Sequence, residues 1–289
     1  MTESWSFRPE PGAMSRSRGF SLVELAVALA ITALLIAGAL IPLSTQMEVR
    51  NAADSRRSME SIREAIIGFA QANGRLPCPA DGTIAAGAAN AGTEQLSGAS
   101  PNTTCTNVFG VVPWATLGVP EVDGWGRRFS YWVSQIFADG LGTATFNNPL
   151  PGPSGQNPAC PSPLIPTPTQ SSFALCSMGN LTVNTRNEST HVATAVGSAL
   201  PAVIISHGKN GFGAYTPAGV TLAAPVGADE IANANHAAAA ATFFSRNPTQ
   251  AASPCSDAAG PAFCEFDDIV VMITSNTLIA RMVAAGKLP

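Results

Sequence analysis

Between Leu25 and Leu43 the chain runs for 19 residues without a charge, and this stretch constrains everything around it. As a helix rising about 1.5 Å per residue, it is roughly 28 Å long, close to the hydrocarbon thickness of a bilayer. Core helices are usually shorter and carry a polar stripe, so the run predicts one membrane-spanning helix. Arg8, Arg16 and Arg18 precede it. By the positive-inside rule they place the N-terminus in the cytoplasm and the C-terminal body across the membrane.

The rest of the composition narrows the class further. Charged residues make up 12% of the 289 and hydrophobic ones 46%, with a net charge of −4. Such a chain is too apolar and too weakly charged for charge-driven disorder. Fifteen Lys and Arg against 19 Asp and Glu leave no basic footprint, so no nucleic-acid partner is expected. With 26 glycines and 23 prolines, a helical bundle is excluded in favour of a body with long loops. Cys78, Cys105, Cys160, Cys176, Cys255 and Cys264 all follow the apolar run. An even number on the translocated side predicts disulfides. Six cysteines allow 15 connectivities. Short-loop closure favours Cys255–Cys264, then Cys160–Cys176, leaving Cys78–Cys105.

The order of segments at the N-terminus is unlike that of a secretory signal, whose cleavage site follows its apolar core. Here the basic leader ends at Gly19 and the apolar run begins at once, so cleavage there would leave the helix on the mature chain. Arg18-Gly19-Phe20-Ser21-Leu22-Val23-Glu24-Leu25 closely resembles the class III signal of type IV pilins and type II secretion pseudopilins. The resemblance implies that a prepilin peptidase cuts after Gly19 and N-methylates Phe20. It also makes Glu24 the intramembrane glutamate of assembly and Pro42 the helix-breaking proline. Family leaders are usually short, and a start at Met14 would give one of six residues. Removing residues 1–19 takes away three arginines and two glutamates, moving the net charge from −4 to −5.

Glu24 also carries a physical argument of its own. An ionisable group in an apolar span costs roughly 2.5–3.5 kcal/mol on insertion scales, so it needs a partner or a task. The Phe20 α-amino group of a neighbouring subunit would neutralise it and set the register of packed helices. The alternative is an interfacial glutamate that snorkels to the cytoplasmic surface. Pro42, lacking an N–H, should kink the helix.

Beyond Ser44 the pattern turns amphipathic. Met59, Ile62, Ile66 and Phe69 recur at spacings of three and four, and charged residues fill the remainder. Asn73-Gly74, followed by Pro77 and Pro79, predicts the helix end. Residues 80–107 read as a loop. Asp123-Gly124-Trp125-Gly126 reads as a turn and residues 128–133 as a strand. Eight prolines between Pro149 and Pro168 exclude regular structure and predict an exposed loop over about 140–170. Strands are expected over 172–178, 181–185, 199–206 and 267–274, helix-compatible composition over 229–245, and a last helix from a Ser275 or Asn276 cap to Ala285.

The turn at 123–126 resembles the D-P-W-G turn of major pseudopilins, with Gly124 in place of proline. Residues 203–213, with Asp268-Ile269 later, resemble the glycine-rich loop and D-I strand of pseudopilin heads. In major pseudopilins that loop holds calcium, and the resemblance points to Asn210, Asp267 and Asp268, with Asp229 and carbonyls as further oxygens. Calcium takes six to eight oxygens, several of them anionic, and Asn210 stands where an aspartate is usual. Turn and strand-cap roles are the plainer account of the same residues. His191, His207 and His236 lack zinc spacing, and no G-x-S-x-G elbow or dinucleotide fingerprint is present. No enzyme is expected.

These readings combine into an α+β chain in which a long N-terminal helix, its first half transmembrane, packs on a small antiparallel β-sheet head with long loops. Its parts are a leader (1–19), a transmembrane and assembly helix (20–73) and a periplasmic head (74–289). The resemblance implies a pilin-like structural subunit anchored once in the inner membrane, with prepilin peptidase and other pilin or pseudopilin subunits as partners. A type II secretion pseudopilus, a type IV pilus and a competence apparatus all remain open as its destination. A second expectation is a minor tip pilin whose loop at 140–170 acts as an adhesin or substrate-binding module.

Overall fold

The computed structural model describes residues 21–143, 169–237, 241–260 and 262–288, with only the backbone described for residues 37–44 and 143. In order, the elements are α1 (Leu22–Asn73), β1 (Leu96–Ser97), β2 (Thr104–Cys105), β3 (Phe109–Val111), α2 (Trp114–Leu117), β4 (Ser130–Val133) and α3 (Gln135–Ala138). They continue with β5 (Leu181–Arg186), β6 (Ala193–Leu200), β7 (Ala202–Ser206), α4 (Ala228–Asn233), β8 (Thr242–Phe244), β9 (Ile269–Ile273) and α5 (Ser275–Ala284). The chain divides into two units, residues 1–47 and 48–289.

In the first unit, the apolar side chains of α1 are exposed, from Leu25 (55%) to Ile36 (60%). No helix among the described residues is long and apolar enough to cross a membrane. The described apolar side chains from Leu25 to Ile36 cover roughly 18 Å of helix. The rest of the sequence-predicted span falls within 37–44, where side chains lie outside the described residues.

In the second unit, Met59, Ile62, Ile66 and Ala70 of α1 are fully buried. Burial of each of the three larger side chains is worth about 1.5–3 kcal/mol. The stripe differs from the predicted one at its end: Phe69 is half-buried beneath the Arg75 guanidinium (5.3 Å), and Ala70 takes the inward position. The helix stops where predicted, with Gly74 in the left-handed region (φ 74°), which favours a residue without Cβ.

The stripe packs on a four-stranded antiparallel sheet of order β3-β4-β7-β9. Side chains alternate across a strand. Phe129, Tyr131 and Val133, with Ala202 and Ile204, therefore join α1 and α5 on one face. Trp132, Val203 and Ile205 meet Leu181, Val183, Leu200 and Phe243 on the other. β7 is covered on both faces, and its residues 202–205 (AVII) are continuously apolar. A second sheet, order β6-β5-β8, supplies that opposing layer; β6 pairs antiparallel and β8 parallel with β5.

Several sequence expectations are corrected. Residues 172–178 form no strand; Phe173 is buried against Phe137 (4.8 Å) inside a turn. There the Ser177 hydroxyl accepts from Ala174 N–H at 2.9 Å, a local bond that competes with strand pairing. Helix α4 ends at Asn233, far short of Ser245. The Asn233 amide donates to Phe244 O and accepts from Phe244 N, fastening the helix end to β8. The cap of α5 is Thr274, whose side chain accepts from Thr277 N–H. The single strand expected over 199–206 is divided at Pro201, which has no N–H for a ladder: Ala199 and Leu200 end β6, β7 starts at Ala202, and residues 193–198 of β6 have no counterpart in the sequence reading.

Two disulfides are described, Cys78–Cys105 and Cys255–Cys264. Cys176 is also disulfide-bonded, and Cys160 lies outside the described residues, as does most of the proline-rich loop.

The DGWG turn docks on α1. Gly124 N–H donates to the Ser55 hydroxyl at 2.9 Å, and a Cβ on Gly124 would stand 2.5 Å from Asn51 O. Proline, lacking the N–H, could not make that bond. Asp123 accepts from the N–H groups of Trp125 and Arg127 and from the Ser206 hydroxyl, tying the turn to the end of β7.

Arg128, fully buried, gathers the loops. Its Nε and Nη2 donate to Glu121, Nη1 to the carbonyls of Gly82 and Ile84, and Nη2 also to Pro217 O. Its guanidinium lies 4.5 Å over the Trp114 ring. Arg128→Ala leaves Glu121 and three carbonyls without these donors and is expected to cost about 3–5 kcal/mol in urea denaturation. Arg128→Lys should not restore it, because one ammonium cannot reproduce the planar fork. Wild-type stability in either variant would refute the role given to this side chain.

Candidate functional site

Two places concentrate chemistry, one in each unit. At the start of α1, Ser21 and Glu24 form a capping box. Glu24 Oε2 accepts from Ser21 N–H at 3.0 Å, and the Ser21 hydroxyl accepts from Val23 N–H at 3.4 Å. The S-x-x-E spacing of Ser21 and Glu24 is the sequence signal of such a cap. Glu24 therefore satisfies one backbone donor, Ser21 N–H, at a helix N-terminus, where a negative charge is also favoured by the helix dipole. Gly19 and Phe20 lie outside the described residues. Pro42 falls where only the backbone is described, within the span assigned to α1.

The second place lies around the loop after β7, at the ends of β7 and β9 and the start of α4. Glu230, Asp267 and Asp268 bring one carboxylate oxygen each to within 4.8 Å of one another. Asp267 and Asp268 directly precede β9, and Glu230 is in the first turn of α4. Gly208, at φ 54°, lets the loop pass over them; a Cβ there would stand 2.4 Å from Asp267 O. Asn210 N–H donates to Asp267 Oδ2 (2.8 Å), and its side-chain amide donates to Glu230 Oε1 (2.9 Å). The Asn210 Oδ1 accepts from Phe212 N–H, so Asn210 positions the carboxylates through its donors.

Of the sequence-selected residues, Asn210, Asp267 and Asp268 are brought together. Asp229 is directed elsewhere, into a pair of guanidiniums from Arg186 (2.7 Å) and Arg246 (2.8 Å). Glu230 was not selected. The signal for it, an acidic residue in the first turn of a short helix, is too common to single out.

The cluster is short of donors. Glu230 is 2% exposed, yet its Oε2 has no hydrogen-bond partner, and neither has Asp267 Oδ1. Burial pushes the Glu230 carboxyl up to about 8 and the Asp267 carboxyl up to about 6. Neighbouring carboxylates add to both shifts. Three carboxylates, two of them with an unpaired oxygen, and no soft ligand form a donor set for a hard cation such as calcium or magnesium.

Behind the cluster, Ser130 Oγ lies 2.8 Å from His207 Nε2, and His207 Nδ1 lies 3.5 Å from Asp268 Oδ1. The order serine, histidine, aspartate is that of a nucleophile with its base. Ser130 and His207, however, are both 0% exposed, inside the sheet, where a substrate has no access. The arrangement serves as a polar chain between β4, β7 and β9.

Residues 14–40 match the family model for the prokaryotic N-terminal methylation motif, the prepilin-type signal of type IV pilins and pseudopilins. That class is structural rather than enzymatic. The match covers the Gly19–Phe20 junction, the capping box and much of the apolar run. No curated protein and no solved structure matches the chain.

The raised Glu230 and Asp267 carboxyls set a pH dependence. As pH rises, the unfolded chain releases these protons first, so their contribution to stability is fullest below about 4 and is lost towards about 8. Without divalent cations, Glu230→Gln should flatten the decline in melting temperature between pH 5 and pH 8, on the order of the Glu230 shift. A decline as steep as the wild type's would remove Glu230 as its source.

Proposed function

We propose that this chain, which carries the prepilin-type methylation signal at residues 14–40, is a pilin-like or pseudopilin structural subunit. Prepilin peptidase cuts after Gly19 and N-methylates Phe20. The apolar start of α1 holds the subunit in the inner membrane until it joins a fibre of a type II secretion pseudopilus or type IV pilus. The observation that carries this is the register of the motif against α1. Cleavage after Gly19 puts the new terminus one residue before the Ser21 cap, so that processing leaves an intact 52-residue helix.

Glu24 then has two tasks in succession. In the separate subunit it caps its own helix through Ser21 N–H. In the fibre its charge meets the α-amino group of a neighbouring Phe20. The two tasks make different demands, since a glutamine at this position still caps but carries no charge.

Mass spectrometry of the N-terminus should find methylated Phe20 in cells with the peptidase and an uncut Gly19–Phe20 bond in cells without it. Recovery of the uncut bond in both would refute the assignment. Glu24→Gln and Glu24→Ala should both be cleaved normally and both give little fibre. Normal fibre yield from Glu24→Gln would leave the cap as the sole role of Glu24.

A second reading is favoured by the unpaired carboxylate oxygens: the head holds a divalent cation through Glu230, Asp267 and Asp268. A cation there replaces the protons that burial otherwise imposes, and it fastens α4 to the start of β9. Calcium should raise the melting temperature of the detergent-solubilised full chain, more at pH 8 than at pH 5, with no rise in Glu230→Gln. Identical wild-type melting with calcium and with chelator would exclude the site.

A further inference from the structure

The end of β5, the chain leaving β8 and Phe263, in the loop closed by Cys255–Cys264, line a cavity of about 530 Å³. That volume falls within the roughly 300–1,000 Å³ of small-molecule sites. The cavity is separate from the carboxylate cluster, none of whose residues lines it.

Two guanidiniums of the lining are fixed in place. Arg186 and Arg246, with side chains 11% and 4% exposed, share the fully buried carboxylate of Asp229. Arg246 directs its other nitrogens to Thr249 Oγ1, Asp257 Oδ1 and Cys264 O. Arg186 Nη1 donates to the His191 carbonyl at 3.0 Å, and its guanidinium lies 4.6 Å over the Phe244 ring. These contacts set the planar groups in one orientation before a ligand arrives, which lowers the ordering cost of binding.

The groups left without a partner define the ligand. Among the described residues, Arg186 Nη2, the Thr185 and Ser245 hydroxyls, Glu188 Oε2 and Asn247 Oδ1 make no hydrogen bond, while Asn247 Nδ2 donates to Glu188 Oε1 at 2.8 Å. One of these groups donates, two accept, and the two hydroxyls do either. Asp229 and Asp257 balance the two arginines and Glu188 adds a negative charge, so an anion meets no net attraction. The same guanidiniums disfavour a cation. A hydrocarbon would displace water from these groups without replacing its bonds, which costs free energy at each. Peptides are commonly taken up by main-chain groups of a strand edge, whereas the unsatisfied groups here all belong to side chains. What remains is a neutral molecule rich in hydroxyls, each able to donate one hydrogen bond and accept two.

We propose that this cavity binds a neutral mono- or disaccharide. Arg186 Nη2 donates to it, Glu188 Oε2 and Asn247 Oδ1 accept from it, and the Thr185 and Ser245 hydroxyls complete the set. Phe263 is not a stacking platform for the sugar, because its ring already stacks with His191 (4.1 Å) and lies under the Arg246 guanidinium (4.7 Å). Recognition therefore rests on hydrogen bonds, and exchange is fast. This site goes beyond the proposed structural role and does not depend on it.

Saturation-transfer NMR on the full chain, in a detergent without a sugar headgroup, tests this with glucose, galactose, mannose, N-acetylglucosamine and lactose. At least one of these sugars should receive saturation from the wild type, while acetate and blocked dialanine should receive none. Ser245→Leu, which fills the cavity and removes a hydroxyl, should abolish the transfer. Thr185→Val keeps the branched shape suited to β5 and should weaken affinity about two- to tenfold, the effect of one neutral hydrogen bond. Val220→Ser, exposed elsewhere on the head, should change nothing. Wild-type melting temperatures show that the variants fold; if Ser245→Leu melts lower, Thr185→Val decides. No transfer to any of these sugars would overturn the inference. So would full transfer in a folded Ser245→Leu, or an unchanged affinity in Thr185→Val. Transfer to blocked dialanine that Ser245→Leu removes would also overturn it, by making this a peptide site.

Discussion

The contact on which the head depends is that between the apolar stripe of α1 and the sheet β3-β4-β7-β9. Met59, Ile62, Ile66 and Ala70 lie on one face of that sheet, and their burial fixes the register of the second half of the helix. The other face is covered by the β5–β6–β8 layer. Strands β4 and β7 consequently lie between two apolar layers, and their ends are held in place. Those ends carry the polar groups of interest: Ser130 in β4, His207 after β7, and Asp267 and Asp268 before β9.

Around this frame, irregular chain is held mainly by buried charge. Arg128 takes three carbonyls and Glu121, and Arg186 and Arg246 share Asp229. Arg246 also donates to Asp257, within the loop closed by Cys255–Cys264, and lies between the rings of Phe263 and Phe266. In these networks the bonded guanidinium donors meet carboxylates, carbonyls or, for Arg246 Nη1, the Thr249 hydroxyl. The cluster of Glu230, Asp267 and Asp268 differs in having more acceptors than donors. The contrast distinguishes a structural network from a place that can take a cation.

Much of the architecture was legible because it has a period or a stop signal. The helical stripe at 59–66, the stop at Gly74, the buried strand ending at Ser206 and the last helix were all readable in this way. The expected strand at 172–178 failed because serine hydroxyls bond their own backbone there. The expected helix at 229–245 failed because a single asparagine side chain joins Asn233 to Phe244. Strand β6 was invisible for a different reason. With both faces of residues 192–196 in solvent it shows neither the alternation of a half-buried strand nor the continuous apolar run of a fully buried one.

The sequence by itself determined the N-terminal motif, which the methylation-motif family model matches at residues 14–40. The order of Gly19, Phe20, Ser21 and Glu24 ahead of an uncharged run is local, and a peptidase motif and a helix cap are both read from neighbouring residues. Tertiary structure decided which acids meet. Glu230 lies 37 residues before Asp267 and joins it only because α4 and the start of β9 converge beneath the loop at Gly208. Asp229, its immediate neighbour, points instead to Arg186 and Arg246. Successive residues of a helix turn by about 100°, so adjacent acids in α4 face different surroundings. Only the packing of the head assigns one to salt bridges and the other to a site short of donors.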